Sequence, residues 1–276
     1  MKKTRIAVVQ MQAKTGKVKE NLRKIEQFVK EAATKNVDII CFPELCVQGY
    51  NREKARLTAE PIPGESALTI SKLAQKANMV ILVGMAEKSS SEKPLITQLV
   101  AFPNGKLGKY SKTHLGKSEL PYFTPGHNLP VFSTDKAKFG IQICWDLHFP
   151  EVTAILSLKG SEIIFAPHAS PVTVGNRRDI WKKYLLARAY DNSVFVAACN
   201  LIGYDGVGQS FCGGAMVIDP KGNVIAEAFN GKEELLVVDL DPATINTIRL
   251  QKAKSMSGTF YLQARRPELY GDLIKY

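Results

Sequence analysis

"GIQICWDLHFPE", residues 140–151, decides how the rest of the chain is read. A mostly apolar run delivers Cys144, after which the chain turns polar at Asp146 and reaches Pro150-Glu151. A short apolar run bounded by a polar turn reads as a buried strand. Proline suits the first position of a helix, where its fixed φ is already helical and its missing N–H would have had no partner. Cys144 therefore stands at a strand-to-helix turn. Either the thiol is a small hydrophobe filling a core, or it is a nucleophile held at the lip of a sheet, as some hydrolases present theirs.

The same alternation continues on both sides. Downstream lie a helix from Pro150 to about Leu158, a strand "SEIIFA" (161–166), a helix "RRDIWKKYLLARAYDN" (177–192) and a strand "VFVAACN" (194–200). "GAMVID" (214–219), a "PKGN" turn, "VIAEAF" (224–229) and "ELLVVDL" (234–240) follow as strands, then a helix over 242–252 and an irregular tail from about 253. Upstream, "TRIAVVQ" (4–10) is β-branched and short, and Leu22, Ile25, Phe28, Val29 and Ala32 recur at helical spacing. "VDIICF" (37–42) is a strand stopped by Pro43, a helix runs from Glu65 to Ala77, and "MVILVGM" (79–85) is another core strand. Asn104-Gly105 predicts a hairpin between "LITQLVAF" and "GKLGKYSK". Strands alternating with helices, then hairpins, predict mixed sheets covered by helices. No low-complexity linker divides the chain, so residues 1–276 are expected to form one domain.

Composition removes several classes of function. The chain is 45% hydrophobic, and no apolar run approaches bilayer length. The opening "MKKTRIAVVQMQAKTG" has a basic head, but its apolar stretch breaks at Gln10, so it reads as a first strand and not as a signal peptide. Five cysteines without an export signal argue against a disulfide framework and for a cytoplasmic protein. Four histidines and no CxxC pair leave little for a metal site, and neither metal nor cofactor is expected. The net charge of +11 comes mostly from scattered lysines, with pairs such as Arg177-Arg178 and Arg265-Arg266 as the longest basic clusters. That is the pattern of a solvated surface, without the basic–aromatic stripe of a specific nucleic-acid binder.

Three strand ends carry chemistry. "CFPELCVQGY" (41–50) places Glu44 after a buried strand, where burial raises a carboxyl pKa toward neutrality and makes it a candidate acid or base; a helix-start glutamate held by backbone N–H groups is the alternative. "GKYSKTHL" (108–115) puts Lys112 and His114 on one side of a possible strand, with Lys109 nearby, although any one lysine of so basic a chain can be surface. Cys144 is the third. Asp146 reads as an acceptor for its own turn, and Cys41, Cys46, Cys199 and Cys212 as core thiols.

Taken together, Glu44 in "FPEL…GY", Lys112 in "KYSKTHL" and Cys144 in "CWDLHFPE" resemble the three signatures of the nitrilase superfamily, the carbon–nitrogen hydrolases, in that family's order. "RIAVVQMQ", "ELPYFTPG" with Glu119, and "GGAMVIDPKGNVIAEA" extend the resemblance over nearly the whole chain. It implies an α/β fold, a four-layer α-β-β-α sandwich with two mixed sheets, usually assembled as homodimers or larger homo-oligomers. It further implies Cys144 as nucleophile, Glu44 as general base, Lys112 and the Trp145 backbone N–H as oxyanion donors, and Glu119 as the glutamate that holds the lysine. A free thiol is mostly protonated at neutral pH and needs such a base. The implied reaction on a small amide or carbamoyl substrate releases ammonia or an amine, forms a thioester, and ends with hydrolysis.

Members acting on carbamoyl amino acids or dicarboxylate monoamides often carry arginine four places after the cysteine. Here that place is His148, so the carboxylate clamp is missing there unless Arg177 or Arg178 supplies it from another loop. "CWD…FPE" resembles the carbamoylputrescine amidase branch, which points to a small linear amide or an N-carbamoyl amine; nitriles and dicarboxylate monoamides (omega-amidase activity) are the alternatives. His168 in "FAPHASP" lines the pocket or is satisfied by backbone, and Tyr50 lines it or packs. Two rivals remain: a Cys-His hydrolase pairing Cys144 with His148 or His168, and an inactive nitrilase-like binding protein.

Overall fold

A computed structural model describes residues 1–250 and 258–275. In chain order the first half comprises β1 (Thr4–Gln10), α1 (Val18–Thr34), β2 (Ile39–Cys41), α2 (Ala55–Thr58), α3 (Glu65–Ala77), β3 (Val80–Glu87), β4 (Leu95–Ala101) and β5 (Leu107–Ser111). The second comprises β6 (Phe132–Ser133), β7 (Lys138–Ile141), α4 (Pro150–Leu158), β8 (Ile163–His168), α5 (Arg177–Asn192) and β9 (Phe195–Asn200). It continues through β10 (Ile202–Tyr204), β11 (Ser210–Cys212), β12 (Ala215–Ile218), β13 (Val224–Ala228), β14 (Glu234–Leu240) and α6 (Pro242–Arg249).

Two six-stranded sheets form, in the orders β14-β1-β2-β3-β4-β5 and β13-β12-β9-β8-β7-β6. Both are mixed. β1, β2 and β3 run parallel, as do β7, β8 and β9, while the hairpin-linked strands flank them antiparallel.

The period of two along each central strand divides its side chains between two cores. On β9, Phe195, Ala197 and Cys199 point into the core between the sheets. Val196 and Ala198 point the other way, onto Trp181, Leu185 and Ala189 of α5. β8 divides likewise, with Ile163 and Phe165 inside and Ile164 and Ala166 toward the helices. Cys199 Sγ reaches the Cys41 carbonyl of the opposite sheet at 3.6 Å. Ile25, Phe28, Val29 and Ala32 of α1, with Ala67, Ile70 and Ala74 of α3, cover the outer face of the first sheet. The result is the expected α-β-β-α sandwich. Strands buried on both faces explain why they read as continuous apolar runs.

Departures from the expectation are local. β2 pairs over Ile39–Cys41 alone, because Pro43 has no N–H to extend the ladder. β5 ends at Ser111, so Lys112 and His114 leave the strand and diverge. β6, β10, β11 and α2 are too short to show a period, and Gly203, Gly206 and Gly208 interrupt the β10–β11 ribbon. Cys41, Cys46 and Cys199 are buried core thiols, whereas Cys212 is half-buried. The last two residues of the helix expected over 242–252, and the start of the tail at 253, lie outside the described residues. No helix among the described residues is long and apolar enough to cross a membrane.

Candidate active site

The parallel strands of both sheets end on one side, and β2, β7 and β8 each hand over a functional residue just past or at that end. Ligands in α/β sheets commonly bind beyond the carboxyl ends of parallel strands. Glu44 follows β2 on a segment that crosses close over β3. A Cβ at Gly84 would sit 2.3 Å from the Leu45 nitrogen and 2.4 Å from the Pro43 carbonyl, so only glycine lets the segment pass. Leu45 itself takes a left-handed φ of 51°.

Lys112 lies immediately after β5 and is 1% exposed. Its ammonium donates to Glu44 Oε1 and to Glu119 Oε1, both at 2.8 Å. Glu119 also accepts from the Tyr50 hydroxyl at 2.9 Å and, through Oε2, from the Gly116 backbone N–H at 2.7 Å. Glu44 Oε2 is buried with no hydrogen-bond partner among the described residues. Burial pushes the Glu44 carboxyl up to about 7, against the opposing pull of the Lys112 ammonium. Burial would lower Lys112, but Glu44 and Glu119 outweigh it and hold the lysine well above its ordinary value, so it stays charged.

Cys144 opens a single 3-10 turn, Cys144–His148, at the end of β7. Its φ is 48°, a region that a residue with a side chain occupies at a cost and that clusters at functional sites. The first N–H groups of a helical turn have no partner within it, which leaves the Trp145 N–H beside the thiol available as a donor. Sγ lies 3.8 Å from the Ser170 hydroxyl. Burial raises the thiol to about 12, and the negative charges of Glu44 and Glu119 add to that while Lys112 opposes it. The resting group is therefore the thiol.

Asp146 ties this turn to the loop that carries Lys112. It is fully buried. Oδ2 accepts from Tyr110 Oη at 2.6 Å and the Ile143 N–H at 2.9 Å; Oδ1 accepts from the His114 N–H at 2.9 Å and Thr113 Oγ1 at 3.1 Å. The turn-acceptor role expected of Asp146 therefore extends to a second strand end. His114 turns away from Lys112 and stacks on Phe149, ring centroids 3.9 Å apart. Asp146→Ala strands these donors without an acceptor and is expected to destabilise the fold by about 3 kcal/mol or more, measurable by urea unfolding. Asp146→Asn, which keeps an oxygen for part of the set, should lose clearly less.

Cys144, Lys112, Glu119, Tyr50, His148 and His168 line one cavity of about 550 Å³. Glu44 stands behind it, 1% exposed. His168 ends β8, fully buried; its Nδ1–H donates to the Ala166 carbonyl at 2.8 Å, leaving Nε2 facing the Tyr184 hydroxyl at 3.4 Å. It thus satisfies both readings, bonded to backbone and lining the cavity. Burial, with the Arg177 charge, holds it well below its ordinary pKa, so it is neutral. His148 is exposed at the mouth between Trp145 and Tyr184, and partial desolvation lowers it too. Ser170, Tyr184, Arg52 and Lys117 also line the cavity and were not singled out from sequence. Tyr184 had a usable signal, since Arg177, Trp181, Tyr184 and Arg188 recur at helical spacing and all are buried. Ser170 and the two loop cations had none.

The family comparison decides the assignment: residues 5–250 match the pattern of the carbon-nitrogen hydrolase family. The chain belongs to the carbon–nitrogen hydrolases of the nitrilase superfamily. It is 33% identical, over 99% of both chains, to a protein of Schizosaccharomyces pombe named "Probable nitrilase". It is 32% identical to the omega-amidase of Xenopus tropicalis, covering 91% of this chain and 93% of that one. A solved cysteine-to-alanine variant of the amidase from Nesterenkonia sp. AN1, in complex with butyramide, superposes with a TM-score of 0.84 at 26% identity, over 98% of this chain and 97% of that one. A carbon–nitrogen hydrolase thus has its acidic, basic and thiol groups gathered on three separate strand ends.

Proposed function

We propose that this carbon–nitrogen hydrolase cleaves a small linear amide, or an N-carbamoyl amine, through a thioester on Cys144. The observation that carries the reading is the buried Lys112 ammonium held 2.8 Å from both Glu44 and Glu119 beside the thiol cavity. Glu44 Oε2, free of partners, takes the thiol proton as Sγ attacks the carbonyl carbon. The carbonyl oxygen becomes an oxyanion between Lys112 Nζ and the Trp145 N–H, donors already oriented before the reaction begins. When the tetrahedral adduct collapses, the C–N bond breaks and Glu44 returns the proton to the leaving nitrogen. Water, deprotonated by the same carboxylate, then attacks the thioester and releases the acid and the thiol. Glu119 and Tyr50 keep the lysine in place. The butyramide carried by the Nesterenkonia amidase supports a small amide as the substrate.

The Cys-His alternative is weakened by geometry: His168 is occupied by the Ala166 carbonyl and Tyr184, and among the described residues Cys144 Sγ hydrogen-bonds Ser170 and neither histidine.

The test is ammonia release from linear amides, N-carbamoyl amines and nitriles, with intact-mass detection of an acyl adduct on Cys144 after rapid acid quench. An adduct of substrate mass minus ammonia supports the thioester. Turnover of an amide with no adduct, and no effect of Cys144 substitution, would sink it. The base must be ionised, so kcat/KM is expected to rise as pH passes upward through about 7, where burial places Glu44. A rate independent of pH from 5 to 8 would remove Glu44 from that role.

A further inference from the structure

Of the cations lining the cavity that this chemistry does not use, Arg177 is the most deeply buried. Arg177, the first residue of α5, is 7% exposed, and its Nε has no hydrogen-bond partner among the described residues. None of the ion pairs among those residues includes Arg177, whereas the adjacent Arg178 turns outward and makes a bidentate pair with Glu227. The groups that feel its charge in the site are neutral: Tyr184, His148 and His168. A buried cation without a counter-charge is costly. A guanidinium lining a cavity presents a planar donor fork that matches a carboxylate.

The rest of the cavity has the same polarity. Arg52 and Lys117 stand at its wall, and neither is in an ion pair among the described residues. At the reacting centre, by contrast, Lys112 is offset by two carboxylates. The anionic demand of the cavity therefore lies away from the thiol. A substrate with a cationic tail would meet Arg177 unfavourably, and a neutral tail would leave it unpaired.

We propose that Arg177 anchors a carboxylate of the substrate while the amide of the same molecule lies at Cys144, so that the hydrolase selects amides or carbamoyl compounds with a carboxylate tail. This rests on the Cys144 reading above and narrows it. Arg52 and Lys117 draw such anions toward the mouth.

The experiment compares kcat/KM for chain-matched pairs, butyramide against the monoamide of butanedioic acid and pentanamide against that of pentanedioic acid, in wild type, Arg177→Gln and Arg177→Lys. Wild type is expected to favour the carboxylate member of a pair. That ratio should fall about 100-fold in Arg177→Gln, chiefly through KM, and recover partly in Arg177→Lys. Inhibition of wild type provides the same comparison without a substitution: butanedioate is expected to bind at least about tenfold more tightly than butyrate. A wild type that prefers the neutral amides, or a preference that Arg177→Gln leaves in place, overturns the carboxylate anchor; turnover of the neutral amides in that case keeps the Cys144 chemistry. Ammonia from none of the four compounds overturns both.

Discussion

Cys144→Ala is expected to reduce kcat for the amide substrate by about 10⁴-fold or more, with the fold retained. On the proposed mechanism neither His168 nor Ser170 replaces the thiol in the covalent step. His168 is neutral but bonded on both sides, and the Ser170 hydroxyl lacks the free carboxylate oxygen that Glu44 offers the thiol. The side chain is only half-buried, and alanine at a φ of 48° meets the same strain as cysteine, so the melting temperature should move little. Steady-state kinetics beside a thermal melt checks both halves. The reactivity of the thiol adds a further handle. Because burial and two carboxylates keep it protonated, Cys144 should react slowly with thiol reagents that do not bind the cavity and quickly with electrophilic amides that bind as substrate does. A variant retaining more than about a hundredth of wild-type rate would be incompatible with a Cys144 nucleophile.

Lys112→Met is expected to be nearly as damaging to activity and far more damaging to stability. Losing an oxyanion donor costs about 100-fold or more in rate. The substitution also leaves Glu44 and Glu119 buried without the cation that both contact at 2.8 Å, and breaking a buried pair from one side costs about 3–5 kcal/mol. The pH dependence gives the sign. Glu44 already sits above its unfolded value through burial, and Lys112 is the first of the forces opposing that shift. Without the lysine the folded-state value rises further. A carboxyl raised on folding contributes stability that is full below its unfolded pKa and is lost as pH climbs through the folded one. The deficit of Lys112→Met relative to wild type should therefore be larger at pH 8 than at pH 5, as urea unfolding at both would show. A silent Lys112→Met would instead favour the Cys-His pairing, in which the lysine has no part.

Much of this architecture was legible along the chain. β1 and β14 match "TRIAVVQ" and "ELLVVDL" residue for residue, and α3, α4 and α5 begin and end where their patterns predicted. The reason is burial: strands covered on both faces must be apolar throughout, and helices covered on one face must repeat every three to four residues. Short elements carry no such period, which is why the β10–β11 ribbon and α2 went unread. The clustered groups were legible too: Glu44 and Cys144 each follow a buried strand at a point where a polar group is otherwise out of place, and Lys112 leaves the half-buried β5.

What the linear chain determined by itself, then, was the elements and the mixed sheets covered by helices, which follow from local pattern, and the candidate chemical groups; the four layers came with the family resemblance. Only the folded chain decided how those groups act. That Lys112 bridges two glutamates 68 and 7 residues away is a property of two strand ends of one sheet, β2 and β5, brought together with the loop that carries Glu119. That Asp146 holds the Cys144 turn to β5 and the lysine loop, 36 and 32 residues back, depends on a carboxylate sealed from water and shared among donors from both. The elevated values of Glu44 and Cys144 arise from desolvation, which no spacing encodes. Arg177 shows the difference most sharply. Along the chain it is one of two adjacent arginines; in the fold Arg178 faces solvent and Glu227, and Arg177 faces the cavity without an ion-pair partner among the described residues.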